Sequence, residues 1–186
     1  DAEHMATADD LQDEDAIWNR VGQAGSWDYM DSIARCGVAY LHTGDDRYLA
    51  LFKRELNRFI DTDVFNPNLE APPQLHGRLY VLLVVWDLVR DHPLFTPADR
   101  AKVEGMFLHV ARSPEGMDQI AKVAETHTVR YNHHTRAGLD AFFVGRFFDR
   151  RFALPEAKGW LTLAEKLFAP QLTSAKPVED SWVHQW

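Results

Sequence analysis

The residues best equipped for chemistry stand together in Arg130-Tyr131-Asn132-His133-His134-Thr135-Arg136. Two guanidinium groups, two imidazoles, an amide, a phenol and a hydroxyl fall within these seven positions. Arg130 and Arg136 would attract a carboxylate through charge-assisted hydrogen bonds. Tyrosine and histidine are side chains that move protons. The stretch runs straight into Ala137-Gly138-Leu139-Asp140-Ala141-Phe142-Phe143-Val144-Gly145-Arg146-Phe147-Phe148, which is apolar on nearly every side. Such a helix is buried all round, so its polar start must be capped or line a cavity. Both readings stay open. Asn132 suits a helix cap, its side chain accepting a backbone N–H, and a cap can hold a second role. His133 and His134 read equally as ordinary loop-to-helix residues, and Arg130 and Arg136 as surface or ion-paired arginines. A reaction centre in this chain belongs here.

The elements that must position this helix start are themselves helical. Trp27 to His42 carries Met30, Ile33, Ala34, Gly37, Val38 and Leu41 at helical spacing. Gly44 is a stop and Asp45 the next cap. Arg47 to Ile60 sets Leu49, Phe52, Leu56 and Phe59 on one face and Lys53, Arg54 and Arg58 on another. Asp61 to Pro73 is a turn-rich loop with three prolines. Gln74 to Asp91 has no polar face through Leu79–Trp86, and its period exceeds strand length, so a helix buried all round is expected. Thr96 caps and Pro97 opens an amphipathic helix to Arg112. A short helix is expected around Met117 to Ala124, then the long helix from residue 132. Pro155 to Phe168 is amphipathic, and Ala169 to Val178 is a loop with Pro170 and Pro177.

These helices pair at intervals of roughly 50–60 residues, a spacing suited to repeated hairpins. In the second and third pairs the leading helix is apolar all round and the trailing one amphipathic. An inner ring packed inside an outer ring explains that alternation, so the expected class is all-α, with helical hairpins forming part of an α/α toroid. Three pairs make an incomplete ring. The expected organisation is a flexible lead-in at 1–15 and one toroid domain at 16–186, the N-terminal part of a larger catalytic domain. The remainder of that ring would be its partner.

Composition narrows the function classes. The 186 residues are 46% hydrophobic and 26% charged, an ordinary globular balance. A net charge of −8 argues against a nucleic-acid partner, without excluding an acidic ligand in a locally positive pocket. Cys36 is the single cysteine, so no internal disulfide can form. The longest apolar run, Leu79 to Trp86, is far short of a membrane span. Asp180 and His184 stand four apart, but nothing else has metal-ligand spacing, so no metal is expected. No phosphate loop, nucleophile elbow or dinucleotide fingerprint is present, and no cofactor is expected.

Three segments resemble a known family. Tyr40-Leu41-His42-Thr43-Gly44-Asp45-Asp46-Arg47-Tyr48 is similar to the Thr-Gly-Asp hairpin of helical-toroid polysaccharide lyases. Val85-Trp86-Asp87-Leu88-Val89-Arg90-Asp91, followed by Phe95-Thr96-Pro97-Ala98-Asp99-Arg100, resembles their second hairpin. Asn132-His133 at the head of a long inner helix resembles their Asn-His pair. From about Trp27 onward the chain thus resembles the heparinase II/III-like and alginate-lyase-like superfamily.

The resemblance implies β-elimination of a uronate-containing polysaccharide by an exported protein. Removing the proton beside a carboxylate is hard until a donor lets that carboxylate take up charge. By matched position Asn132 would neutralise the carboxylate, with His133 assisting or acting as base. Tyr131 is an in-chain phenol with no matched family role. Arg136, His134, Arg78, His76 and His184 are candidate contacts to an acidic poly- or oligosaccharide. Trp182 and Trp186, in the acidic-aromatic run Glu179–Trp186, could stack on sugar rings. One departure matters: family members take a catalytic tyrosine from further along, and no tyrosine follows Tyr131 here. Two other classes compete. A toroidal glycoside hydrolase needs two carboxylates flanking the bond, for which Asp140, Glu179 and Asp180 are the candidates. A non-catalytic carbohydrate-binding helical domain needs neither.

Overall fold

A computed structural model describes residues 26–65, 79–126 and 132–173. Every regular element among them is helical, so the all-α expectation holds. The chain divides into two compact units, one of Asp1–Pro73 with Val81–Met106 and one of Gln74–Tyr80 with Phe107–Trp186. The lead-in at 1–15 lies outside the described residues.

In the first unit, helix α1 (Ser26–Thr43) ends where Gly44 turns left-handed at φ 70°, its N–H donating to the Tyr40 carbonyl at 2.7 Å. Asp45 then caps α2 (Asp46–Phe59), its carboxylate accepting from the Arg47 N–H at 3.0 Å. The sequence had the chain leaving the helix at Asp61. Instead a π-helical turn, Ile60–Val64, prolongs α2, and the Phe65 N–H closes it onto the Ile60 carbonyl at 3.0 Å. The anchor is Ile60, which is fully buried together with Phe59. Helix α3 spans Leu79–Val89, and residues 74–78 of its expected range lie outside the described ones.

Helix α4 (Pro97–Arg112) starts on a reciprocal cap. The Asp99 N–H donates to the Thr96 hydroxyl at 3.1 Å, and the Thr96 N–H returns a bond to Asp99 at 2.8 Å. Trp86, Phe52 and Phe95 make the centre of the first unit. Phe95 meets Trp86 edge-on at 5.0 Å and Phe52 at 6.4 Å between ring centroids. Gly37 lets α1 approach closely, since a Cβ there would collide with Val85 and lie 3.2 Å from Phe52.

Helix α3 corrects one expectation. It is not buried all round: Leu79, Leu82, Leu83, Val85, Trp86 and Val89 are buried, but Val81 and Val84 are half-buried and Leu88 is 64% exposed. The first set forms the packed stripe. Val81, Val84 and Leu88 follow each other at i, i+3 and i+7 along the opposite side.

In the second unit, α5 (Met117–Glu125) precedes a hairpin of two long helices, α6 (Asn132–Phe152) and α7 (Ala157–Thr173). The short link makes them antiparallel neighbours. Ala153, at φ 49°, and Leu154 close α6, donating to the Asp149 and Phe148 carbonyls at 3.0 and 3.2 Å. Two glycines set the spacing. A Cβ at Gly138 would stand 3.0 Å from the Phe168 ring, and one at Gly145 would stand 3.0 Å from the Ala157 carbonyl. Across the hairpin Phe148 meets Trp160 edge-on at 6.2 Å, and Ala164 and Leu167 are buried.

Phe143, expected to be mostly buried, is half-buried because it faces Tyr80 rather than α7. Helix α7 also runs through Pro170, where a loop was expected from Ala169. A proline in the last turns forfeits one backbone bond, to the carbonyl of residue 166, and the helix continues beyond it. Among the described residues no helix is long and apolar enough to cross a membrane.

Candidate functional site

The candidate site is the amino end of α6. Asn132 is the first residue of that helix and His133 the second. Their side chains, and Tyr131 as a whole, lie outside the described residues. His134, Thr135 and Arg136 occupy the next turn and are half-buried. A helix start presents unpaired backbone N–H groups and the positive end of the dipole. Arg136 adds a full positive charge within about one turn, so the local field favours an anion although the chain is acidic.

What lies deeper on α6 explains how this end is held. Asp140, one turn after Arg136, is completely buried. Its Oδ1 accepts the Tyr80 backbone N–H at 2.9 Å, across 60 residues of sequence. Its Oδ2 has no hydrogen-bond partner among the described residues. Burial pushes the Asp140 carboxyl well above the usual carboxylate range, against the opposing pull of the Tyr80 N–H and the Arg136 charge. One turn further, Phe143 stacks on the Tyr80 ring at 5.9 Å and 18°. Arg136, Asp140 and Phe143 follow one another at i, i+4 and i+7. The last two fasten that stripe of α6 to Tyr80, which belongs to the same compact unit.

Of the substrate-binding candidates, the described structure brings Arg136 and His134 together on the opening turns of α6. His76 and Arg78, which precede α3 in the chain, lie outside the described residues, as do Trp182, His184 and Trp186. Asp140 was a candidate carboxylate for the hydrolase reading. With no exposed surface, and with its one bond spent on a backbone N–H, it cannot flank a glycosidic bond. Glu179 and Asp180 lie outside the described residues.

The link from Asp140 to Tyr80 went unnoticed in the sequence. Its signal was a lone carboxylate in an otherwise apolar stretch, which needs a buried partner. Among the described residues no group of three or more histidine, cysteine or acidic side chains could hold a metal ion. No protein-family model, curated protein or solved structure matches the chain.

Proposed function

We propose that this chain supplies the carboxylate-neutralising site of a polysaccharide lyase that cleaves a uronate-containing glycan by β-elimination. The observation that carries the reading is the position of Asn132 and His133 as the first residues of a long helix, with half-buried Arg136 about one turn on. Donors and positive charge gathered at one helix start suit a substrate carboxylate. They also suit the enolate-like state formed when the neighbouring proton leaves. Asn132 would hold the carboxylate, with His133 assisting or taking the proton and Tyr131 as the nearest phenol. Arg136 and His134 would bind alongside, and His76, Arg78, His184, Trp182 and Trp186 are the further sugar contacts in this reading.

The toroidal arrangement, further ring helices supplying a downstream tyrosine, and export to where acidic glycans occur belong to the same proposal. The hydrolase alternative is weakened by the burial of Asp140. The non-catalytic carbohydrate-binding alternative shares the binding step and lacks the elimination.

Titration calorimetry of the chain with a uronate oligosaccharide and with its carboxyl-reduced counterpart tests the binding step. The reading expects binding of the first and little of the second. Equal binding, or none of either, removes carboxylate recognition. Ultraviolet absorbance then separates the enzyme classes, because elimination leaves an unsaturated sugar and hydrolysis does not.

A further inference from the structure

We infer that Asp140 is a latch that fixes the Tyr80 backbone to α6 within one compact unit, and that it works as a neutral carboxylic acid, so that raising the pH loosens the Tyr80 N–H. The inference holds whether or not α6 carries a lyase site.

The geometry argues for both parts. Tyr80 is the second residue of α3, where backbone N–H groups have no partner within their own helix. Asp140 satisfies one of them from another helix, as a capping side chain does. The contact lies within one compact unit, and the stacking of Phe143 on Tyr80 braces it.

The neutral state follows from the count of partners. An ionised carboxylate offers about four acceptor sites, and this one, sealed from water, receives a single donor among the described residues. Burying a charge so poorly paired is far more costly than burying an acid whose carbonyl oxygen accepts one bond.

Among the described residues the groups around it are few. Arg136 on α6 is the charge that acts on it, and α3 faces it through the Tyr80 N–H. On α7, Leu167 and Phe168 face neighbouring Gly138, while Lys158, Glu165 and Lys166 are exposed. On α5, Asp118, Lys122 and Glu125 are exposed. The Tyr80 N–H and Arg136 favour the carboxylate, and burial outweighs them. The unfolded chain releases this proton near the ordinary value of about 3.9. The folded chain keeps it to higher pH and binds more protons between the two values, so stability falls as the pH rises through that window.

Asp140→Asn keeps the acceptor and cannot ionise. Wild type and Asp140→Asn are expected to melt together at about pH 4 and to separate as the pH rises, the variant melting higher at about pH 8. Hydrogen exchange, corrected for intrinsic rate, should show Tyr80 N–H protection falling with pH in wild type and holding steady in Asp140→Asn. Folded Asp140→Ala should lose that protection, and if it does not fold the Asp140→Asn comparison decides. An Asp140→Asn variant that fails to fold, melts below wild type at alkaline pH, or differs from it equally at every pH overturns the neutral latch. Full Tyr80 protection in folded Asp140→Ala overturns the latch itself.

Discussion

One ion pair should persist far into acid before it breaks. Lys53 Nζ lies 2.7 Å from Asp99 Oδ2, and the same oxygen accepts from the Thr96 N–H at 2.8 Å and hydroxyl at 2.7 Å. The Lys53 and Asp99 side chains are 26% and 19% exposed. Burial pushes the Asp99 carboxyl up, but these donors and the Lys53 charge outweigh it and hold the group at about 2 instead of 3.8. In full, that difference is worth about 2.4 kcal/mol. Solvent on the open side of the pair screens it to roughly 1–2 kcal/mol.

The carboxyl is depressed in the folded state, so this stability is present above about 3.8 and disappears as the pH falls through about 2. Asp99→Asn removes the charge and the dependence with it. Urea unfolding across that range, followed by circular dichroism, should show wild type losing its advantage over Asp99→Asn as acid is added. A constant gap between the two at every pH would refute the assignment of this stability to the Asp99 charge.

Further outcomes are expected within the first unit. Gly37→Ala should destabilise despite its better helix propensity, because overpacking against Val85 and Phe52 costs about 1–3 kcal/mol against a gain of roughly 1 kcal/mol. Gly105→Ala meets open space and should stabilise by about 0.5–1 kcal/mol, so chemical denaturation should give the two variants opposite signs. Burial, and then the Glu55 carboxylate, push the Cys36 thiol up to about 12. Iodoacetamide at neutral pH should therefore label Cys36 only on unfolding, and rapid labelling of the folded chain would contradict that environment.

Much of the fold was legible because local chemistry dictates it. Gly44 and Asp45 end one helix and start the next, and Thr96, Pro97 and Asp99 build a complete helix start, all within four residues. What the sequence hid depends on distant partners. Leu88 has the same apolar character as Leu82, yet one is exposed and the other buried, and the difference lies in which neighbours reach α3. Pro170 reads as a terminator, although a proline near a helix end gives up a single bond. The site followed the same rule. Asn132 and His133 were legible as the head of a long helix from the apolar run that follows them, but that helix is not buried all round: Leu139, Phe142 and Phe143 are half-buried and Arg146 is exposed. The tie from Asp140 to Tyr80 spans 60 residues and leaves no local pattern beyond a carboxylate where none is comfortable.

The central claim is that the amino end of α6 neutralises a uronate carboxylate during elimination. Its most direct test is the ultraviolet absorbance of a uronate polymer treated with the longest native product that carries this chain, beside the same protein with Asn132→Ala. Removing a donor to a developing oxyanion should lower turnover by about 10²–10³-fold. If Asn132 also caps α6, the stability loss should be about 1 kcal/mol. An Asn132→Ala protein that loses stability but keeps its turnover would reduce Asn132 to a helix cap, and a wild-type protein that produces no unsaturated ends from any uronate polymer would contradict the lyase account.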